Sequence, residues 1–243
     1  MQRPISVITL ALFCLLLSLT LAPSRSSARQ LTSAKAAAAA ALEQEVLKEI
    51  NLARTRPVEY AAYLEQLRPY FNGKEYRRPG AAGLMTQEGT RALDEAIADL
   101  RAARPAPALT LSQGMTSGAR ELVKDQAGTD VTGHKGSDGS FCEQRAQRFG
   151  RWTDPIGENL SYGEDTARER VLTLLIDDGF ASRGHRKRLL DASYQVAGVA
   201  CGDHKLGAMC VITLAGGFTD GPVKVIAPAA KNASPVPNGA RRF

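Results

Sequence analysis

Aromatic residues are scarce in this chain. Phenylalanine, tyrosine and tryptophan together make up 6% of the sequence, and Trp152 is its single tryptophan. Sugar rings stack on aromatic side chains, so this scarcity argues against glycan recognition as the main function.

Several motifs that identify common enzyme classes are also missing. The sequence contains no Gly-x-Ser-x-Gly nucleophile elbow, no phosphate-binding loop that ends in Gly-Lys-Ser/Thr, and no dinucleotide fingerprint after a predicted strand. It also lacks the His-Glu-x-x-His helix of zinc peptidases. These absences argue against hydrolases of the elbow type, nucleotide triphosphatases, dinucleotide-dependent enzymes and peptidases with that helical zinc motif.

The body of the chain lacks an excess of either charge. The formal net charge is +6, and all of it is carried by six residues near the two ends: Arg3, Arg25, Lys224, Lys231, Arg241 and Arg242. Residues 29–223 are therefore nearly neutral. Because a surface that binds phosphate groups needs clustered Lys and Arg, we expect no nucleic-acid partner.

The N-terminal residues have the pattern of a secretory signal. Arg3 precedes a mostly apolar run over residues 5–22, and small residues follow up to Ala28. We predict a signal peptide over 1–28, an alanine-rich extension over 29–41, a globular domain over 42–220 and a disordered basic tail over 221–243. After cleavage no transmembrane segment would remain, and the protein would be secreted or periplasmic. An uncleaved anchor is the alternative, since about 18 apolar residues approach the length of a membrane span.

Three cysteines remain after Cys14 is removed with the signal. Cys201 and Cys210 flank a turn-rich segment between two β-prone runs, 194–200 and 209–214. A hairpin would bring the two residues together in an oxidising compartment, so we predict a disulfide between them and a free Cys142. Two buried thiols are the alternative.

The order of patterns indicates helices first and a sheet later. Apolar residues recur at helical spacing over 34–54, 93–100 and 115–123, and Ser112 can cap the last of these helices. Residues 71–85 look like a loop. Thr166 to Glu169 forms a capping-box pattern, which places Asp177 and Asp178 at the C-terminal end of the helix that follows. The C-terminal end of a helix carries a partial negative charge that disfavours carboxylates. These two acids therefore indicate a compensating partner.

Six short segments together resemble the CAP superfamily, named for cysteine-rich secretory proteins, antigen 5 and pathogenesis-related proteins and also called SCP domains. The likeness covers about residues 42–218 and is closest to the secreted bacterial branch. The segments are residues 50–57, the helix start at 109–112, Gly133-His134, Gly157-Glu158-Asn159-Leu160, Gly184-His185-Arg186, and residues 196–199.

The resemblance implies an α+β fold, an α-β-α sandwich with a small antiparallel sheet between helical layers and a large cleft. Relatives place two histidines and two acids in that cleft, and some of them bind a divalent metal there. Carried over to this chain, the set is His134, Glu158, Asp178 and His185. The fourth position departs from the common pattern, because Asp178 replaces a Glu, so Asp177 is the alternative to it.

We therefore expect an exported binding module with a cleft of histidines and acids, which holds a small ligand or a divalent metal, with zinc favoured. Ser161 is a further cleft candidate. The resemblance allows a lipid or sterol, or a cell-surface component, as the partner. A metal-free network of imidazoles and carboxylates uses the same residues equally well. The alternative function is a metal-dependent hydrolase or peptidase in the same cleft.

Overall fold

A computed structural model describes residues 25–164 and 166–221 of the chain. The first helix, α1, spans Arg25–Thr55. The chain divides into two units after Ala36, and the second unit, which begins at Ala37, contains every other element described below. The predicted signal peptide and basic tail fall almost entirely outside the described residues.

Six further α-helices follow within the described residues, and two of them begin at capping residues that the sequence predicted. Ser112 caps α4, because its Oγ accepts a hydrogen bond from the backbone N–H of Met115. Thr166 and Glu169 form the predicted capping box at α6. The helices are α2 (Pro57–Glu65), α3 (Thr90–Ala102), α4 (Gln113–Gln126), α5 (Cys142–Gln147), α6 (Ala167–Ile176) and α7 (Gly184–Leu190).

The segment between α2 and α3 is more ordered than the predicted loop. A short 3-10 helix, Arg68–Tyr70, leads into three two-residue strands: β1 (Phe71–Asn72), β2 (Glu75–Tyr76) and β3 (Leu84–Met85). They pair antiparallel in the order β1-β2-β3. The loop prediction was wrong here because strands this short have too few residues to show an alternating pattern.

The main sheet has four strands in the order β4-β6-β7-β5. The two central strands and the long edge strand are antiparallel, whereas the short strand β4 runs parallel to β6. The strands are β4 (Thr110–Leu111), β5 (Gly150–Tyr162), β6 (Val196–His204) and β7 (Gly207–Asp220). β5 is an edge strand, since it pairs only with β7 among the described strands.

Helices cover both faces of this sheet. On one face, Ile212 and Leu214 of β7 pack with residues of α1, α2, α3, α6 and α7 in the larger core cluster. On the other face, Val211 packs with Leu122 of α4 in the smaller one. Gly198 of β6 allows α4 to approach closely, because a Cβ there would lie 2.2 Å from the backbone carbon of Met115. The arrangement confirms the predicted α+β sandwich.

The predicted disulfide is present. Cys201 and Cys210 are directly opposite one another on β6 and β7 and form a disulfide, while Cys142 is free and buried. Burial raises the pKa of the Cys142 thiol to about 12, and the nearby carboxylate of Glu158 adds to the rise. Cys142 is therefore an unreactive thiol in the folded protein.

A buried arginine joins the end of α1 to the second half of the chain. The guanidinium of Arg54 donates to four backbone carbonyls: Pro107 at 2.9 Å, Leu189 at 2.7 Å, Asp191 at 2.9 Å and Tyr194 at 2.7 Å. These carbonyls lie around α7 and the segments before β4 and β6. Arg54 therefore fixes the position of α7, which carries one of the histidines discussed below.

Among the described residues, no helix is both long enough and apolar enough to cross a membrane.

Replacing Arg54 should destabilise the fold strongly. Arg54→Ala leaves four carbonyls without their donor, and unmet buried groups cost about 1–3 kcal/mol each, so we expect a loss of at least about 3 kcal/mol. The measurement is urea denaturation followed by circular dichroism. The matched control is Arg56→Ala, which removes only an exposed ion pair with Glu59 and should change stability by less than about 0.5 kcal/mol. Equal effects of the two substitutions would contradict this role of Arg54.

Candidate functional site

The edge strand β5 carries the acidic residue around which the site is built. Glu158 lies opposite Thr213 and Asn159 lies opposite Ile212 of β7. Because successive side chains of a strand point to opposite faces, Glu158 faces α4 and α5, whereas Asn159 faces α6 and α7. Glu158 contacts His134, and Asn159 contacts the segment that carries His185.

On the first face, Glu158 joins His134 to Arg145 of α5. Its Oε1 lies 3.0 Å from Nδ1 of His134, and its Oε2 accepts a hydrogen bond of 2.7 Å from Nη2 of Arg145. The side chains of Glu158 and Arg145 are each only 2% exposed, whereas that of His134 is 43% exposed. A buried ion pair therefore supports an imidazole that faces solvent.

The same arginine also fixes the loop that carries His134. Nη1 of Arg145 donates to the backbone oxygens of His134, at 3.0 Å, and of Ser140, at 2.9 Å. Farther along this loop, the backbone N–H of Ser137 donates to the carboxylate of Asp125 on α4. A loop with few regular hydrogen bonds is thus held by side chains, which places the imidazole in a defined position.

On the second face, Asp177 holds His185. Asp177 ends α6 in the left-handed conformation, with φ 56°. Its Oδ1 lies 2.6 Å from Nδ1 of His185, and its Oδ2 accepts from the backbone N–H groups of His185, at 2.9 Å, and Arg186, at 3.4 Å. The side chain of Asp177 is 1% exposed and that of His185 is 20% exposed.

The surroundings of Asp177 keep its carboxylate ionised. Burial by itself would raise the pKa of Asp177, but the hydrogen bond and charge of His185 and the backbone N–H groups of His185 and Arg186 outweigh burial and lower it. A buried carboxylate at Nδ1 favours the tautomer in which Nδ1 carries the proton, so Nε2 is left as an acceptor.

Asn159 and Arg188 connect the two histidine pairs through β5. The side-chain amide of Asn159 donates to the backbone oxygen of His185 at 3.2 Å. Arg188 of α7 donates to the backbone oxygen of Glu158 at 3.0 Å and also to the side chain of Asn159. Gly157 leaves room for Arg188, because a Cβ there would lie 2.5 Å from its Nε.

Three of the four residues predicted for the cleft, His134, Glu158 and His185, belong to these two pairs, whereas Asp178 makes a separate contact. Asp178 accepts hydrogen bonds from the backbone N–H groups of Gln87, at 2.6 Å, and Glu88, at 2.9 Å, before α3. Asp177, named as its alternative, is the acid that contacts His185.

As a shared metal set, these side chains fit poorly. Both oxygens of Glu158 are engaged, one of them by a permanently charged guanidinium, and Asp178 is bound to backbone. Within residues 25–164 and 166–221, no group of three or more His, Cys, Asp or Glu residues is placed to hold a metal ion.

Three other polar side chains near these segments are buried. Ser161, the further cleft candidate, accepts a hydrogen bond of 2.6 Å from Arg170. Arg186 donates to the last carbonyls of α6. His204 is buried because β6 continues through it, and its Nε2 contacts the backbone oxygen of Val131.

Sequence reasoning missed Arg145 and Arg188. Arginine is usually exposed, and neither residue lies in a recognisable motif. The one available signal was spacing, since Arg145 lies on the polar helix that follows the His134 loop and Arg188 lies three residues after His185.

Asp177→Asn tests the electrostatic part of the second pair. Asparagine tolerates the left-handed conformation, so the backbone should be kept while the charge is lost. At neutral pH we expect a loss of about 2 kcal/mol, the usual value for hydrogen bonds to a charged group. Because the folded-state pKa of Asp177 is lowered, its stabilisation is present above the unfolded-state pKa and is lost as the pH falls through the folded-state value. The difference between wild type and variant should therefore shrink below about pH 4.

Urea denaturation over a series of pH values measures this difference. Asp130→Asn, which alters an exposed carboxylate 3.8 Å from Lys205, is the control and should cost less than about 0.5 kcal/mol throughout. A gap between wild type and Asp177→Asn that stays constant into the acidic range would show that charge is not its origin.

One family model and several solved structures are similar to parts of this chain. Residues 95–213, which include both histidine pairs, match the family model described as CAP: Cysteine-rich secretory protein family. No curated protein matches the chain. One similar solved structure is an extracellular protein containing a SCP domain from Bacillus anthracis str. Ames, with 21% identity and a TM-score of 0.37 over 49% of this chain and 37% of that one.

A second is the CAP domain of Enterococcal PrgA, with 16% identity and a TM-score of 0.33 over 52% of this chain and 58% of that one. The chain thus spans about a third to three fifths of the length of these two structures. The family model carries the assignment: residues 95–213 of this chain, which contain both histidine pairs, match the CAP family.

Proposed function

We propose that this chain is a secreted or periplasmic CAP-domain binding module that contacts its ligand through the imidazoles of His134 and His185. The observation that carries the proposal is the common geometry of the two pairs. In each, a buried carboxylate lies at Nδ1 of a more exposed imidazole. Within the described residues, neither Nε2 has a hydrogen-bond partner. Both histidines therefore offer an oriented acceptor to a ligand.

The neighbourhood of His185 adds an apolar surface to this acceptor. The ring of Phe180 packs edge-on against the ring of His185 at 5.0 Å, and Phe180 is 57% exposed. Phe141, just before α5, is also exposed. A ligand that combines a hydroxyl or amide donor with an apolar body matches these groups, and lipids, sterols and peptides from a cell surface have this chemistry.

Binding is favoured over catalysis by the state of the reactive groups. Ser161 and Cys142 are buried, and the thiol of Cys142 has a raised pKa, so neither is an activated nucleophile. The carboxylate of Glu158 is enclosed by Arg145 and His134 and cannot reach a substrate proton as a general base. The histidines are then suited to recognition rather than to bond cleavage.

Native mass spectrometry of the protein purified from its own secretion pathway tests the binding proposal. We expect a retained small molecule whose occupancy falls in His134→Ala and in His185→Ala, since one lost hydrogen bond of about 1.4 kcal/mol weakens binding about 10-fold. Lys135→Ala, an exposed neighbour of His134, is the matched control and should keep full occupancy. Equal retention in both histidine variants would exclude the two imidazoles as the contact.

The hydrolase alternative has a different signature in the same preparations. Turnover of casein or of a peptide library that disappears on chelation and in Glu158→Gln would support catalysis and replace the binding proposal. Absence of turnover, together with a histidine-dependent ligand, supports the binding module.

A second candidate site is a groove between α1 and α4. Its volume is about 550 Å³, and its walls include Leu47, Leu111 and Val199 together with the cations Lys48 and Arg120. Apolar walls beside cations suit an amphiphile such as a fatty acid. Arg120 is bound by Glu43 through two hydrogen bonds of 2.9 Å, whereas Lys48 forms only an exposed ion pair of 3.3 Å with Glu45. Lys48 is therefore the cation that can bind a ligand carboxylate more easily.

Leu111→Asp tests lipid binding in this groove. Leu111 is 45% exposed, so the substitution should spare the fold while it places a negative charge on the apolar wall. We expect the affinity for a fluorescent long-chain fatty acid to fall about 10-fold or more. The control, Leu206→Asp, changes a residue that is 55% exposed on the β6–β7 turn, and it should bind as wild type does. A similar loss in both variants would exclude a specific groove site.

A further inference from the structure

Glu158 has no free oxygen to offer to a metal ion. Oε1 contacts His134, whereas Oε2 receives Arg145 at 2.7 Å and lies 3.5 Å from the hydroxyl of Thr213. Nη1 of Arg145 in turn donates to the backbone oxygens of His134 and Ser140, whereas its buried Nε has no hydrogen-bond partner within the described residues. Removing the guanidinium from Oε2 would therefore also disrupt the loop that carries the histidine.

The positive charge of the Arg145 guanidinium also disfavours a metal ion at Glu158. Arginine remains protonated at all ordinary pH values, so the negative charge of Glu158 is always compensated. A hard cation such as Mg²⁺, Ca²⁺ or Mn²⁺ is attracted to uncompensated carboxylates and would have to approach a fixed positive charge here. An imidazole nitrogen alone is a poor ligand for these ions.

The two acids of the site differ in this respect. Asp177 is stabilised by backbone N–H groups and the His185 ring, and among the described contacts no arginine or lysine side chain binds its carboxylate. Glu158 is paired with a cation of the protein itself. Only one of these two buried carboxylates is paired with an arginine. A buried acid in this site therefore does not require such a partner, and Arg145 has a specific role at Glu158.

We propose that Arg145 is a built-in cation for Glu158, which makes Glu158 a positioning residue for His134 instead of a metal ligand and excludes hard divalent cations from this half of the cleft. The inference rests on the proposed function only in taking His134 as the ligand-contacting group. It concerns a property of the apo-protein, so it can be tested without any knowledge of the ligand.

Titration of Mn²⁺ at neutral pH into wild type and three variants tests the proposal. Wild type should show no saturable site that involves Glu158. Arg145→Gln removes the charge but keeps a hydrogen-bond donor, and it should gain one Mn²⁺ site, about 10-fold or more tighter than any binding by wild type. Arg145→Lys restores the charge and should resemble wild type. The double variant Arg145→Gln/Glu158→Gln should lose the gained site.

Paramagnetic broadening by Mn²⁺ provides a measurement on wild type alone, which decides the question where Arg145→Gln does not fold. Broadening centred on the amides of Glu158 and Thr213 would overturn the proposal, and unperturbed amides there support it. A folded Arg145→Gln protein without any gain in Mn²⁺ affinity would also overturn it. Loss of the ligand in the histidine variants is measured separately, so failure of one proposal is distinguishable from failure of the other.

Discussion

Buried guanidinium groups hold together the parts of this domain that have no regular secondary structure. Arg54, Arg145, Arg170 and Arg186 are among its largest fully buried side chains. A guanidinium keeps its charge in the interior, so burial is tolerated only where carbonyl or carboxylate oxygens surround it. Each of these arginines therefore requires a fixed arrangement of oxygen acceptors. Arg54 and Arg145 take backbone oxygens from loops, whereas Arg186 takes them from the helices α3 and α6.

Both histidine pairs depend on this constraint. Arg145 binds the backbone oxygen of His134 while it pairs with Glu158. Arg186 binds the last carbonyls of α6, immediately before Asp177, and its own backbone N–H donates to the Asp177 carboxylate. The end of a helix favours a cation, so the position of Arg186 is electrostatically favourable as well. In both pairs, a buried arginine thus binds the backbone beside the acid or the histidine.

The sequence predicted those features that depend on local chemistry. The caps at Ser112 and Thr166 and the pairing of Cys201 with Cys210 follow from residues close together in the chain, and the structure confirms them. Buried arginines could not be predicted in this way. The oxygens that surround Arg186 belong to α6 and to Ala92 and Asp99 of α3. Those of α3 lie 94 and 87 residues earlier in the chain, so sequence alone did not reveal that this arginine is buried.

The choice between Asp177 and Asp178 shows the same limit at a finer scale. Both acids follow α6, and the pattern of the CAP relatives, carried over to this chain, favoured Asp178. The left-handed conformation of Asp177 reverses the chain at that point, and this directs Asp177 to His185 and Asp178 to the backbone before α3. Sequence spacing does not reveal which of two adjacent residues takes the left-handed conformation, because Asp adopts it at either position.

The placement of the two pairs on β5 limits how a single ligand could use both. Glu158 and Asn159 are adjacent but face opposite sides of the sheet, so the segments of His134 and His185 approach the strand from opposite sides. A ligand that touches both imidazoles has to pass the free edge of β5. There the backbone oxygen of Glu158 is bound by Arg188 rather than by another strand. Arg188 therefore lies at the sheet edge that connects the two histidine pairs, and a ligand that contacted both imidazoles would also meet this cation.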